Sequence, residues 1–247
     1  MNTMSWEDRK SYYNESFFTD KESYINNKMA IHHDRSGFAE LVLEWSNMPK
    51  SVIDCGCATG GFIRDFLNLC PMIDIAGFDL SSFAIEHCLP EVKSRLLTLD
   101  VAIEPLPFPD KYFDLCLAID FYEHQDDEHI GIVISETCRV TKQFIFIRQP
   151  FTKFNVPVGK RDELIMGYNH LSHLERLALT DKVPEITSSV PDPNCPYHPQ
   201  ERSRNFFIEL FAENGFSEKS LPEKDYIYPN PGSICSWSIL FLERNTK

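Results

Sequence analysis

Residues 51–61 read SVIDCGCATGG. Ser51, Val52 and Ile53 are apolar or strand-prone and run into Asp54. A turn of small residues follows, Cys55-Gly56-Cys57-Ala58-Thr59-Gly60-Gly61, and then FIRDFLNLC at 62–70. In that last piece Phe62, Ile63, Phe66, Leu67 and Cys70 fall on one helix face. A buried strand therefore enters a tight turn that enters a helix. Small side chains in the turn let backbone approach a ligand closely. The helix N-terminus aims its free N–H groups at the same place.

The chain around this unit repeats its rhythm. DIAGFDL, 74–80, reads as a second strand ending at Asp79. Ser81 or Ser82 can cap the helix that follows to about Cys88, and Pro90 stops it. RLLTLD, 95–100, reads as a third strand ending in Asp100. FDLCLAID, 113–120, is a fourth, apolar enough to be buried on both faces. A helix from about Asp126 to Arg139 carries Ile130, Val133, Ile134 and Thr137 on one side. Asp126, Asp127 and Glu128 suit the dipole at its start. KQFIFIRQP, 142–150, is a fifth strand. Before the opening stretch, Phe38, Leu41, Val42 and Trp45 mark an amphipathic helix over 35–46. Late in the chain Phe206, Phe207, Leu210 and Phe211 mark another, stopped by Asn214-Gly215. Two last strands, in GFSEKSL and SICSWSILFLER, are consecutive and expected to pair antiparallel at the sheet edge. The expectation is an α/β, Rossmann-like, doubly wound and mostly parallel seven-stranded sheet with an antiparallel C-terminal edge strand.

Composition excludes several classes. The 247 residues carry a net charge of −13. Neutralising phosphates needs clustered Lys and Arg, so nucleic acid is disfavoured as a partner. No apolar run is long enough to span a bilayer, and the charged N-terminus has no secretory core. The eight cysteines form no C-x-x-C pair. They read as free thiols of a reducing, cytoplasmic compartment.

The strand ends decide the ligand. The first ends in Asp54 and the small turn, the second in Asp79, the third in Asp100, and the fourth in DFYEHQDD. Acids along one rim can accept two ribose hydroxyls and an exocyclic amine, as a nucleoside requires. In this order the segments VIDCGCATGGF, GFDLS, LDVAIEPLPFPDKYFDLCLAID and EHQDD resemble the class I S-adenosylmethionine-dependent methyltransferases. The similarity is to the small-molecule branch, which carries an LPFPD-x-x-FD stretch before the fourth strand. It spans residues 50–150 and, more loosely, the C-terminal stretch. A nicotinamide cofactor fits less well: GCATGG is not G-x-G-x-x-G, and no second dinucleotide half is visible.

The resemblance implies S-adenosyl-L-methionine as cofactor and a set of roles. Asp54 orders the turn, and Gly56, Cys57, Ala58 and Gly60 pass the methionine moiety at backbone distance. Asp79 binds the ribose hydroxyls, with Leu80 on the adenine. Asp100 accepts from the adenine amine, beside Val101. Ile119, Asp120 and Phe121 border the sulfonium. Tyr13, with Tyr12 on the substrate side, resembles N-terminal tyrosines that close over the cofactor. One position departs from the family: Ala58 stands where glycine is usual, which is tolerated if its φ is negative.

Methyl transfer needs an aligned nucleophile, and a hydroxyl nucleophile needs a base. His124, beside Glu123 just past the fourth strand, is the candidate base, with a packing role as the alternative. Arg148, at the end of the fifth strand, is a candidate contact for an anionic substrate group. His170 and His173 are candidate substrate contacts; their spacing admits a metal, but no third ligand is near, so none is expected. Four stretches organise the chain: 1–48, an N-terminal helical lid and first helix; 49–150, the cofactor-binding core; 151–203, a substrate-side insertion; and 204–247, the last helix and strand pair. The implied activity is methylation of a small molecule, at oxygen. The alternatives are N-methylation of a small amine or of a protein or peptide, and a non-catalytic cofactor-binding subunit. Against the last stand the intact acids at three strand ends.

Overall fold

The computed structural model describes residues 11, 13–15, 18, 35–149, 202, 204–220 and 239–246. Helix α1 (Arg35–Trp45) leads into β1 (Ser51–Cys55), α2 (Gly61–Leu69), β2 (Asp74–Asp79), α3 (Ser82–Glu86) and β3 (Leu96–Thr98). Next come β4 (Phe113–Ile119), a 3-10 turn at Tyr122–His124, α4 (Ile130–Val140) and β5 (Thr141–Arg148). Helix α5 (Arg204–Glu213), β6 (Phe216–Glu218) and β7 (Ile239–Arg244) complete the order.

The seven strands form one sheet in the order β3-β2-β1-β4-β5-β7-β6. The first five are parallel, and β7 runs antiparallel to both β5 and β6. The expected C-terminal hairpin is therefore present, with β7 lying between β5 and the outer strand β6. The order reverses between β1 and β4. That is the switch point where open parallel sheets bind ligands, beyond the carboxyl ends of the strands.

Strand alternation sorts the core into two layers. Ile53, Cys116, Ala118, Ile145 and Ile147 face α4 and α5, through Val133, Ile134, Phe207 and Phe211. Val52, Leu115, Leu117, Phe144 and Phe146 face α1 and α2, through Phe38, Val42, Ile63 and Phe66. A register shift between Phe113 and Leu115 lets odd-numbered Phe113 join the even-numbered side. The LPFPD loop, 106–110, is held by two side chains of α4: Arg139 donates to the carbonyls of Leu106 (3.0 Å) and Phe108 (2.9 Å) and to Asp110 Oδ1 (2.8 Å), and Glu136 Oε1 accepts from the Leu106 N–H (2.7 Å).

Two sequence expectations are corrected at element ends. The third strand stops at Thr98, so Asp100 lies two residues past it, and Lys93–Arg95 form a 3-10 turn. The helix expected from Asp126 begins at Ile130. Asp126 serves instead as a turn former: its Oδ1 accepts from the N–H groups of Glu128 (3.1 Å) and His129 (2.9 Å).

Candidate functional site

The small-residue turn is stitched to the end of β2. The N–H groups of Gly56 and Cys57 both donate to the carbonyl of Phe78, at 2.9 and 3.0 Å. The N–H of Ala58 donates to Asp79 Oδ2 at 2.8 Å, and that of Ser81 to Asp79 Oδ1 at 2.8 Å. Gly77 makes this approach possible: a Cβ there would lie 2.8 Å from Cys57 Cβ and 2.6 Å from Ile63 Cδ1. Gly60 caps α2 at φ 82°. The expectation of a negative φ at Ala58 is overturned, since φ is +47°. Ala58 holds the left-handed geometry that glycine usually serves, while its N–H is bonded to Asp79.

Asp79 is therefore a half-spent acceptor. Two N–H donors occupy two of about four lone-pair sites on its carboxylate. The remainder suit a pair of vicinal hydroxyls. Desolvation raises its carboxyl above the usual range, against the opposing pull of the Ser81, Ala58 and Leu80 N–H groups. Leu80, next along, is half-buried. The Leu99 N–H donates to the Asp79 carbonyl at 3.0 Å and brings the β3 end alongside. There Asp100 is buried, Val101 packs into the core, and Asp100 Oδ1 accepts from the Ala102 N–H at 3.2 Å. Asp54 is buried within β1. Burial, then the Asp79 and Asp54 carboxylates, push the Cys57 thiol well up, so it fills space as a neutral thiol.

The end of β4 closes the rim opposite. Ile119 ends the strand and Asp120 takes φ +49°. Its N–H donates to the Arg148 carbonyl at 2.7 Å. This reversal sends Phe121 over the turn: a Cβ on Gly56 would sit 2.8 Å from the Phe121 ring. Arg148 does not stand open at the rim, because its Nη1 donates to Asp120 Oδ2 at 2.8 Å. His124 is about a quarter exposed, with Nε2 3.9 Å from Oε1 of buried Glu123. The Tyr13 ring meets His124 edge-on, centroids 6.0 Å apart. The Tyr13 carbonyl accepts from Ser81 Oγ at 2.6 Å.

The structure thus gathers Gly56, Cys57, Ala58, Gly60, Asp79, Phe121, Tyr13 and His124 along one rim. Tyr12, His170 and His173 lie outside the described residues. Sequence reasoning missed Gly77 and the second role of Ser81. Ser81 caps α3 by accepting from the Ala84 N–H (3.1 Å) while its hydroxyl holds the N-terminal segment. The cap is legible in sequence; the partner 68 residues away is not.

Residues 52–143 match a family model described as a methyltransferase domain. No curated protein matches the chain in sequence. Among solved structures, magnesium protoporphyrin IX methyltransferase from Synechocystis PCC 6803 with bound S-adenosylhomocysteine superposes with a TM-score of 0.59. It is 15% identical over 98% of this chain and 100% of that one. Burkholderia thailandensis 1,6-didemethyltoxoflavin-N1-methyltransferase gives 0.56 at 11% identity, over 100% and 93%. The plantazolicin methyltransferase gives 0.55 at 17%, over 97% of each chain. Residues 52–143 thus match a methyltransferase domain, and the chain shares the fold of these methyltransferase structures.

Proposed function

We propose that this chain transfers a methyl group from S-adenosylmethionine to an oxygen of a small-molecule acceptor. The observation that carries the cofactor is Asp79 at the end of β2. Its carboxylate is fixed by the Ala58 and Ser81 N–H groups and keeps lone pairs for two ribose hydroxyls. Asp100 and Val101 stand at the adenine end, Gly56 to Gly60 along the methionine moiety, and Phe121 over Gly56. When bound, the cofactor supplies a methyl on a sulfonium, a leaving group that needs no protonation.

The chain's own work is then placement and proton removal. Asp79 and the turn fix the cofactor so that an acceptor can approach in line. His124 takes the proton that a hydroxyl acceptor sheds as its oxygen–carbon bond forms. Glu123 Oε1 lies 3.9 Å from its Nε2. Small-molecule acceptors accord with the names of the structural neighbours, which methylate a porphyrin, a toxoflavin precursor and plantazolicin. The same reading assigns 49–150 to the cofactor, 1–48 and 151–203 to the acceptor side, and 204–247 to completing the sheet.

Isothermal titration with S-adenosylmethionine and S-adenosylhomocysteine tests the reading. One site with micromolar affinity, weakened about 10- to 100-fold in Asp79→Ala, is expected. Absence of binding to the wild-type protein refutes it.

A further inference from the structure

Among the described residues, several buried side-chain polar atoms without a hydrogen-bond partner belong to the segments just past β4 and β5 and to Arg202. They include Glu123 Oε2, Gln125 Oε1, Arg202 Nε and both amide atoms of Gln149. Glu123 is 5% exposed, Gln149 2% and Arg202 3%. A buried polar group with no partner forfeits the hydrogen bonds it had in water, so such groups are rare unless something else satisfies them. Glu123, Gln125 and Gln149 follow the carboxyl ends of β4 and β5, and Arg202 is bonded to that turn, so these groups are offered to a partner at that end of the sheet.

They are contiguous through the backbone. Glu123 and Gln125 share the turn after β4, where the Gln125 N–H donates to the Tyr122 carbonyl at 3.1 Å. Arg202 Nη1 donates to the Gln125 carbonyl at 2.9 Å. Gln149 follows Arg148, whose carbonyl accepts from the Asp120 N–H at 2.7 Å. Gln149 also continues the alternation of Ile145 and Ile147, on the sheet side that packs with Tyr122 and Phe207. This is the rim that carries His124, whose Nε2 lies 3.9 Å from Glu123 Oε1.

The charges here are already balanced. Arg148 is paired with Asp120 Oδ2 at 2.8 Å, and Arg202 Nη2 with Asp127 Oδ1 at 2.8 Å. Burial, and then the neighbouring Asp120 carboxylate, hold the Glu123 carboxyl far above the usual range, so it is neutral and can donate. A carboxylic acid and a primary amide each offer a donor and an acceptor side by side. Their complement is an uncharged edge of the same kind.

Resting on the methyltransferase reading above, we propose that Glu123 and Gln149 form the recognition floor of the acceptor pocket and select an uncharged acceptor bearing a carbonyl beside an N–H, as in a lactam or carboxamide. The selectivity is against carboxylates, because among the described residues the nearby cations Arg148 and Arg202 are already paired with Asp120 and Asp127.

Full-length protein is titrated by calorimetry and thermal melting with 2-pyridone, benzamide, benzoate and toluene, each with and without S-adenosylhomocysteine. The lactam and amide are expected to bind at least about tenfold tighter than benzoate or toluene. Gln149→Leu should lose that preference; Gln149→Glu, which keeps the shape, should weaken benzamide by about tenfold should the leucine variant not fold. Glu123→Gln should keep amide binding within a few-fold, while Glu123→Leu loses it. Equal binding of all four probes, or amide binding indifferent to Gln149→Glu, overturns the proposal. The melting shift with S-adenosylhomocysteine alone judges the cofactor reading separately.

Discussion

Ala58, at φ +47°, donates its backbone N–H to the Asp79 carboxylate across 2.8 Å. An L-residue in that region crowds its Cβ against the following carbonyl, at a cost of about 1–2 kcal/mol. The hydrogen bond to a charged acceptor offsets the strain. The turn's only non-glycine residue in this region is thus bound to the residue that most defines the ligand.

Replacing Ala58 by glycine removes that strain and keeps the N–H. The entropy lost by a freer unfolded chain returns part of the gain. Ala58→Gly should therefore raise stability by about 0.5–1 kcal/mol, a melting shift of roughly 1–4 °C for a chain of this size. Ala58→Val adds a β-branch at positive φ and should lower it by at least about 1 kcal/mol. Differential scanning calorimetry decides; a destabilised glycine variant would mean that the alanine is not strained.

Asp79→Ala deletes the acceptor for Ala58 and Ser81 and the lone pairs left for the ribose. Loss of charge-assisted hydrogen bonds implies about 1.5–3 kcal/mol. S-adenosylhomocysteine affinity should drop about 10- to 100-fold, read by calorimetry. Unchanged affinity would remove Asp79 from the cofactor site.

How much of this was legible in sequence follows from the range of each interaction. β1, β2, β4 and β5 announce themselves because strands buried on both faces need unbroken apolar runs, and β4 is FDLCLAI. β3 is three residues long, too short for a periodic signal, so its end was misplaced. Asp79 could be named from its position at a strand end. The sign of φ at Ala58 could not, because it belongs to a turn held against β2 by contacts 21 residues away, such as that with Asp79. Glu123 stood beside a named histidine and was passed over: burial without a partner is a property of packing, invisible in the residue letters. Gln149 was hidden for the same reason.

Glu123 gives a pH dependence of stated sign. Its folded-state carboxyl lies well above the ordinary value of 4.5 because burial disfavours the ion. The native state then holds a proton that the unfolded chain has released, so stability falls as pH rises from about 4.5 through the folded value. The slope from this one group is at most about 1.4 kcal/mol per pH unit. Glu123→Gln keeps the shape and cannot ionise. Urea unfolding at pH 5, 6, 7 and 8 should show the wild type losing stability relative to the variant as pH rises. A constant difference across that series would mean that Glu123 is not held neutral.

His124→Ala separates proton removal from packing. As base, His124 should carry about 10²–10⁴ of the turnover with a hydroxyl acceptor. S-adenosylhomocysteine affinity should stay within a few-fold, because Asp79 and the turn hold that ligand. A loss of kcat of only a few-fold would leave His124 as a wall of the pocket, edge-on to Tyr13.

Gly77 offers a test of how β2 and the turn fit together. The Cβ of alanine would sit 2.8 Å from Cys57 Cβ and 2.6 Å from Ile63 Cδ1. Ile63 Cδ1 ends a flexible side chain and can move. Cys57 Cβ is fixed by a backbone whose N–H donates to Phe78 at 3.0 Å, so relief must come from displacing the turn. Gly77→Ala should cost about 1–3 kcal/mol by overpacking. Because the displaced turn is the methionine-side wall, cofactor affinity should fall with it. A generic core defect would lower stability without that selective loss. The double variant Gly77→Ala/Cys57→Gly removes the atom that clashes, and it should recover more than half of the lost affinity. Additive losses in the double-mutant cycle would show that the clash is relieved elsewhere, through Ile63, and that the turn tolerates a wider gap from β2 than the contact at Gly77 implies.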